Sequence, residues 1–115
     1  MDMKNIETII NKFSQDRDWD KFHNPKNLAM AMSVEASELL EIFQWLDFEQ
    51  AKNLPEEKKE HVKQEIADIV IYLTRICMAY NIDLEEAILE KMKMNEKKYP
   101  LFDENGKKIE YGKKK

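Results

Sequence analysis

Glycine and proline are scarce in this chain of 115 residues. Glycine occurs only at positions 106 and 112, and proline only at positions 25, 55 and 100. Tight β-turns depend on these residue types, so a chain whose glycines are confined to its last residues is poorly suited to a β-rich fold. The scarcity therefore favours an all-α fold.

The chain also has a single cysteine, no net positive charge and no long apolar run. Cys77 is the only cysteine, so no intrachain disulfide can form, which is typical of a reducing cytoplasm; within an apolar helix it is expected to be a buried small hydrophobe. The net charge of −4 gives no support to general binding of nucleic acid or anionic membranes. No signal peptide is visible, and no apolar run approaches the roughly 20 residues that span a bilayer. We expect a cytoplasmic protein without a nucleic-acid or membrane partner.

Apolar residues at helical spacing predict an all-α unit of four helices. The predicted helices cover about residues 4–16, 25–46, 55–80 and 83–99. Asn24 and Asp83 are expected to cap the second and fourth helices, and Pro25 and Pro55 to open the second and third. We expect one domain over residues 1–100.

The apolar residues of the second and third helices cover wide arcs, more than one subunit of this length can bury. The sequence therefore predicts a homo-oligomer, a helical bundle built from copies of the four-helix unit. The remaining residues, 101–115, are expected to form a C-terminal tail with an exposed turn at Asn105–Gly106 and a loose lysine-rich end.

Two pairs of acids lie inside apolar helical stretches: Glu35 with Glu38, and Glu65 with Asp68. A three-residue step places both acids of a pair on one helix face. At about 100° per residue, Glu35 projects within roughly 40° of the apolar positions 28, 39, 42 and 46, and Glu65 also projects among apolar residues. Several carboxylates in one low-dielectric region repel each other unless a cation compensates them, and Mg²⁺ or Mn²⁺ suits oxygen ligands. The spacing predicts a divalent metal site; the alternative is a set of surface acids.

A basic row is predicted on the fourth helix. Lys91, Asn95 and Lys98 are spaced i, i+4 and i+7, an arrangement that suits phosphate oxygens. The alternative is a general interaction of basic residues with the carboxyl end of the helix. On the third helix, His61 lies one turn before Glu65 and is expected to be its polar neighbour rather than a metal ligand.

Aromatic side chains gather around the start of the second helix and near its end. Trp19, Phe22, His23 and Trp45 provide flat surfaces on which a nucleobase can stack. Core packing is the alternative use of such residues.

Four segments, taken together and in order, are similar to those of the MazG-like all-α nucleotide pyrophosphohydrolases, closest to the branch that includes the dCTP pyrophosphatases. The segments are RDWDKFHNPKNL at 17–28, EASEL with FQW at 35–39 and 43–45, EIADIVIYL at 65–73, and KMKMNEKKYP at 91–100. The similarity covers most of positions 6 to 100, and the ordered set is far more specific than any one segment.

The resemblance implies a metal-dependent reaction in which a nucleoside triphosphate and water give a nucleoside monophosphate and pyrophosphate. Mg²⁺, with Mn²⁺ as a substitute, would be held by Glu35, Glu38, Glu65 and Asp68. Glu35 and Glu38 are the candidate catalytic residues, with Glu38 taking a proton from the attacking water. Members of the family assemble as dimers or tetramers, so a homodimer or homotetramer is expected.

The same resemblance assigns the substrate contacts. The residues of the fourth helix and its end would handle phosphates or sugar, the two tryptophans would wall the base pocket, and Tyr72 would lie near the sugar or base. The substrate-binding candidates are Trp19, His23, Trp45, Tyr72, Lys91, Asn95, Lys98 and Tyr99.

One position departs from the family pattern. Relatives with a clear cytosine preference carry a histidine where this chain has Ile10, and isoleucine neither donates nor accepts a hydrogen bond. The resemblance thus implies triphosphate hydrolysis more firmly than cytosine selectivity. Two alternatives remain open: hydrolysis of another phosphorylated nucleotide such as phosphoribosyl-ATP, and a non-enzymatic helical interaction module.

Overall fold

The computed structural model describes residues 1–112, and its regular structure is helical. The helices are α1 (Met3–Asp16), α2 (Pro25–Phe43), α3 (Phe48–Lys52), α4 (Glu56–Ala79) and α5 (Leu84–Lys98), with a 3₁₀ turn at Asp20–Phe22. The prediction of an all-α fold is confirmed for the described residues. No helix among residues 1–112 is both long and apolar enough to cross a membrane.

Side-chain caps start the helices at the predicted places. Oδ1 of Asn24 accepts a hydrogen bond from the backbone N–H of Asn27 at 2.9 Å, and Pro25 follows as the first residue of α2. Oδ1 of Asp83 accepts from the N–H of Glu86 at 3.0 Å at the start of α5. Each cap satisfies a backbone donor that the helix itself leaves without a partner.

The connection between α2 and α4 differs from the prediction. We expected the second helix to reach Leu46, but α2 ends at Phe43 and the short helix α3 follows. A reciprocal cap starts α3: Oδ1 of Asp47 accepts from the N–H of Gln50 at 2.8 Å, and Oε1 of Gln50 accepts from the N–H of Asp47 at 3.0 Å. Asp47 thus serves as an N-cap in extended backbone conformation, which is incompatible with a continuous helix.

Residues Met1–Ile82 form one compact unit, in which α4 packs along α2 and α1 packs against α4. Leu28 and Thr74 are fully buried between these helices. Cys77 is only half-buried, so it is less enclosed than we expected. Asn81 has a φ of 54°, the left-handed conformation that commonly follows a helix and that asparagine tolerates. It ends α4 where a glycine would be usual.

Residues Asp83–Lys115 form a second compact unit, which contains α5 and a turn after it. Gly106 has a φ of 77°, and the N–H of Gly106 donates to the carbonyl of Asp103 at 3.0 Å, so the predicted turn at Asn105–Gly106 is present and exposed. The hydroxyl of Tyr111 donates to the carbonyl of Pro100 at 2.7 Å. The expected loose end at 113–115 lies outside the described residues. The division into a domain over 1–100 and a tail over 101–115 stays a prediction.

Apolar side chains remain uncovered on α4. Ile66, Val70 and Leu73 are spaced i, i+4 and i+7 on one face, and they are 49%, 36% and 36% exposed. On α2, Met30 and Val34 are also exposed. Contiguous apolar surface of this kind is typical of protein–protein contacts, although the assembly into a homodimer or homotetramer stays a prediction.

Candidate active site

Three glutamates from two packed helices bring their carboxylates together. Glu35 and Glu38 project from α2, and Glu65 projects from α4. One carboxylate oxygen from each residue lies within 4.8 Å of those of the other two. This distance allows a single small cation to contact all three oxygens. The predicted inward orientation is clear for Glu65, which is buried, whereas Glu35 and Glu38 are half-buried.

Glu65 is the enclosed member of the cluster, and its side chain is 9% exposed. Its Oε1 lies 3.2 Å from Nε2 of His61, one helical turn earlier, as expected of a polar neighbour. Its Oε2 is buried and has no hydrogen-bond partner within the described chain. A buried carboxylate oxygen without a partner is costly, and a divalent cation with oxygen ligands would remove that cost. The donor set therefore fits a hard cation such as Mg²⁺ or Mn²⁺.

The proximity of the carboxylates raises the pKa of two of them. Hydrogen bonding to Glu65 and then burial raise the pKa of Glu35 above its ordinary value. Hydrogen bonding to Glu35, followed by its negative charge, raises the pKa of Glu38. Both pKa values are raised because adjacent carboxylates repel one another when all are ionised.

Asp68, the fourth predicted ligand, borders the cluster without joining it. Its oxygens do not belong to the group of three that lie within 4.8 Å, and its side chain is exposed. Its charge nevertheless contributes to raising the pKa of Glu35 and of Tyr72. The structure therefore places Asp68 between the glutamate cluster and the cavity next to it.

The cavity beside the cluster has a volume of about 360 Å³ and a mainly apolar wall. It is lined by Ile9, Ile10, Phe13, Ser14, Trp19, His23, Asp68, Ile71, Tyr72 and Arg75. Three predicted substrate-binding residues, Trp19, His23 and Tyr72, thus meet at one place. The ring of Trp19 lies edge-on to Phe13 at 5.5 Å and to His23 at 6.1 Å between ring centroids. A pocket of this kind suits a flat aromatic ligand.

The cavity wall shifts the pKa of two of its polar side chains, His23 and Tyr72. Burial and then the charge of Arg75 lower the pKa of His23, so the imidazole is neutral at neutral pH. Burial raises the pKa of the Tyr72 hydroxyl, as do the charges of Glu35 and Asp68, so the hydroxyl keeps its proton. Both side chains can therefore act as neutral hydrogen-bonding groups.

The other substrate-binding candidates lie elsewhere. Trp45 follows α2, is 85% exposed and does not line the cavity formed within residues 1–82. Lys91, Asn95 and Lys98 lie on α5 in the second unit, and Tyr99 follows them. Their roles stay predictions.

Among the polar residues of the cavity wall, the sequence reasoning missed Ser14 and Arg75. Nη1 of Arg75 donates to Oγ of Ser14 at 2.7 Å, and Nη2 donates to Oδ1 of Asp20 at 3.0 Å. A signal was available for Arg75, since it follows Asp68 by seven residues and so shares a face of α4 with it. None was available for Ser14, because the contact joins residues 61 positions apart.

The fold and the cluster together define an all-helical protein with a group of three glutamates between two helices, a donor set that fits a hard cation. The sequence profile of the MazG-like family matches residues 30–113. The chain belongs to the MazG-like family, which confirms the resemblance found in its sequence.

Curated relatives and a solved structure match over most of the chain. It is 32% identical to dCTP pyrophosphatase 1 of Mus musculus over 111 residues, which are 95% of this chain and 65% of the mouse protein. It is 34% identical to dCTP pyrophosphatase 1 of Homo sapiens over 100 residues, 85% of this chain and 59% of the human protein. The chain thus spans just under two thirds of the length of these relatives. A crystal structure of a pyrophosphatase from Archaeoglobus fulgidus matches with a TM-score of 0.82 at 42% identity, covering 87% of this chain and 94% of that one.

Proposed function

We propose that this protein is a divalent-metal-dependent nucleoside triphosphate pyrophosphohydrolase. The observation that carries the proposal is the group of three glutamates, which Asp68 links to the apolar, aromatic cavity: Asp68 lines the cavity, and its charge acts on Glu35. The relatives are named dCTP pyrophosphatase 1 and pyrophosphatase, and both names describe cleavage of a phosphoanhydride bond. Cytoplasmic nucleotide-pool cleaning is the physiological role that such an activity would serve.

The cavity would bind the base and part of the sugar. Trp19 offers a flat apolar surface for the base, and stacking of this kind contributes about 1–3 kcal/mol per base. Tyr72 and Asp68 lie in the same cavity wall, and Asp68 also neighbours the glutamate cluster. A nucleotide whose base occupies the cavity would therefore extend its phosphates toward Glu35, Glu38 and Glu65.

The glutamates would hold Mg²⁺, or Mn²⁺ in its place, which neutralises and orients phosphate oxygens when bound. Glu38 is the proposed base: its carboxylate takes a proton from the attacking water. The water oxygen forms a bond to the α-phosphorus, the bond to the bridging oxygen breaks, and pyrophosphate leaves. The products are a nucleoside monophosphate and pyrophosphate.

The substrate is proposed as a class, with dCTP as its first member to test. The wall at Ile10 is buried and apolar, so it adds shape but no hydrogen bond to base recognition. Apolar walls discriminate among similar ligands only modestly, by roughly 10- to 200-fold. We therefore expect turnover of several triphosphates, with preferences of that order.

A panel of ribo- and deoxyribonucleoside triphosphates, assayed for pyrophosphate and monophosphate with and without Mg²⁺, tests the proposal. Glu38→Gln and Asp68→Asn should lose turnover while keeping the helical circular dichroism of the parent. Glu49→Gln is the matched control, since Glu49 lies in α3, is exposed, and pairs with exposed Lys52 at 3.9 Å. Release of inorganic phosphate alone, or no turnover of any nucleotide, would contradict the proposed reaction.

A further inference from the structure

Arg75 holds both ends of the segment that carries Trp19. Its Nη1 donates to Oγ of Ser14, at 2.7 Å, and its Nη2 donates to Oδ1 of Asp20, at 3.0 Å. The backbone N–H of Trp19 donates to the carbonyl of Ser14 at 2.9 Å. The guanidinium of Arg75 therefore binds Ser14, whose carbonyl accepts from the Trp19 backbone, and Asp20, which follows Trp19 in the chain.

These two bonds are unlike the other side-chain hydrogen bonds of the unit Met1–Ile82. They join residues 61 and 55 positions apart, whereas the others within residues 1–82 join residues at most five positions apart. The Arg75 side chain is only 10% exposed and Ser14 is buried, so the bond between them is shielded from competing water, whereas the bond to Asp20 reaches a side chain that is 48% exposed. Arg75 is thus the polar connection between α4 and the turn at residues 17–22.

Burial alone holds Trp19 weakly. Its side chain is 43% exposed, and its ring contacts are edge-on contacts with Phe13 and His23, which lie near it in the chain. The preceding residue, Asp18, has a φ of 56°, a left-handed conformation that an aspartate adopts less readily than a right-handed one. A turn with these properties depends on a contact from outside itself to keep one conformation.

We infer that Arg75 is a positioning residue for substrate binding: its bonds to Ser14 and Asp20 fix Trp19 in the cavity wall and so set the affinity for the base. The claim that Arg75 fixes Trp19 concerns the protein alone. The claim that this sets the affinity for the base rests on the proposed function. Arg75 acts through Trp19 and does not contact the reacting phosphate, so its loss should weaken binding without slowing the bound substrate.

Two measurements on the same variants test both parts. The chain has two tryptophans, so the ¹⁵N heteronuclear NOE of the Trp19 indole can be read beside that of Trp45 as an internal reference. In Asp20→Ala, which removes the acceptor of Nη2, and in Arg75→Met, we expect a lower Trp19 NOE and a rise in KM of about five- to tenfold with kcat unchanged. Arg75→Lys should lie between these variants and the wild type, because a lysine has a single ammonium group for two acceptors.

Asp16→Ala is the matched control. It removes a carboxylate from the end of α1, just before the same turn, and breaks an exposed ion pair with Lys12 at 3.0 Å, but it leaves both bonds of Arg75 intact. The inference is overturned if Asp20→Ala gives the same Trp19 NOE and KM as Asp16→Ala. If Arg75→Met fails to fold, Asp20→Ala still decides, because it retains the bond to Ser14. A wild type that turns over no nucleotide would refute the proposed function, while the indole NOE would still test the fixing of Trp19.

Discussion

His61 and Glu65 face each other across one turn of α4, with Nε2 of His61 at 3.2 Å from Oε1 of Glu65. The contact occupies one carboxylate oxygen and leaves Oε2 buried without a partner in the described chain. An imidazole that orients a ligand carboxylate in this way is common around protein metal ions. The pair therefore restrains the carboxylate of Glu65, one oxygen of which lies within 4.8 Å of oxygens of Glu35 and Glu38.

The first prediction concerns cation binding. Glu65→Gln should lower the affinity for Mg²⁺ or Mn²⁺ by at least about tenfold, because it removes the negative charge of the most enclosed ligand. Calorimetric titration with each metal, in the absence of nucleotide, measures the change.

The control for this experiment is Glu60→Gln. Glu60 lies on the same helix, is exposed, and its Oε2 is 3.7 Å from the ammonium of Lys63. This variant should bind the metal as the wild type does. Equal affinity in the wild type and Glu65→Gln would show that the glutamate cluster is not the cation site.

The second prediction concerns pH. The pKa values of Glu35 and Glu38 are raised, so ionising these groups costs more in the folded chain than in the unfolded chain. Their stabilising contribution is complete below the ordinary glutamate pKa of 4.5 and is lost as the pH rises through the raised values. The metal-free protein should therefore lose part of its stability as the pH rises from the ordinary glutamate pKa of 4.5 through the raised pKa values of these two residues.

Melting temperatures across this range, with and without Mg²⁺, check the second prediction. Mg²⁺ should restore stability most at the upper end, where the carboxylates are ionised and free to bind it. Glu35→Gln should show a weaker pH dependence than the wild type and a smaller effect of Mg²⁺. A melting temperature of the wild type that rose with pH over the range would contradict the assignment.

Local sequence signals predicted the helices and the glutamate cluster well. Asn24 and Asp83 cap their helices through contacts with residues three positions on, and such contacts can be read from spacing. The same holds for Glu35 and Glu38 on α2. The short helix α3 was missed even though its Asp47–Gln50 cap has a recognisable spacing, because five residues are too few to show apolar periodicity.

Long-range contacts could not be predicted in this way. The cavity is formed by α1, the turn after it and α4, and the two bonds of Arg75 depend on how these elements pack. Spacing along one helix places Asp68, Tyr72 and Arg75 near one another but does not tell which residues of α1 they meet. The resemblance to the family supplied Trp19 and Tyr72, whereas Ser14 required the structure.

The third prediction concerns base binding. Trp19→Ala should raise KM for the preferred triphosphate by about five- to 150-fold, since an aromatic stacking surface is worth about 1–3 kcal/mol. Steady-state kinetics over the triphosphate panel measures the effect. Phe22→Ala removes an aromatic ring from the same turn that is 58% exposed and does not line the cavity, so it should leave KM unchanged. Equal kinetics in the two variants would place the base outside this cavity.

The fourth prediction concerns assembly. The exposed stripe of Ile66, Val70 and Leu73 should be covered by a second copy of the chain, so the mass in solution should be twice or four times 13.8 kDa. Val70→Glu places a charge in the middle of this stripe, and a charge is costly to bury unless it is paired. It should therefore shift the protein toward the monomer, as measured by size-exclusion chromatography with light scattering. As a control, Gln64→Glu adds the same charge to the opposite face of α4 and should leave the mass unchanged. A monomeric wild type at micromolar concentration would refute the predicted oligomer.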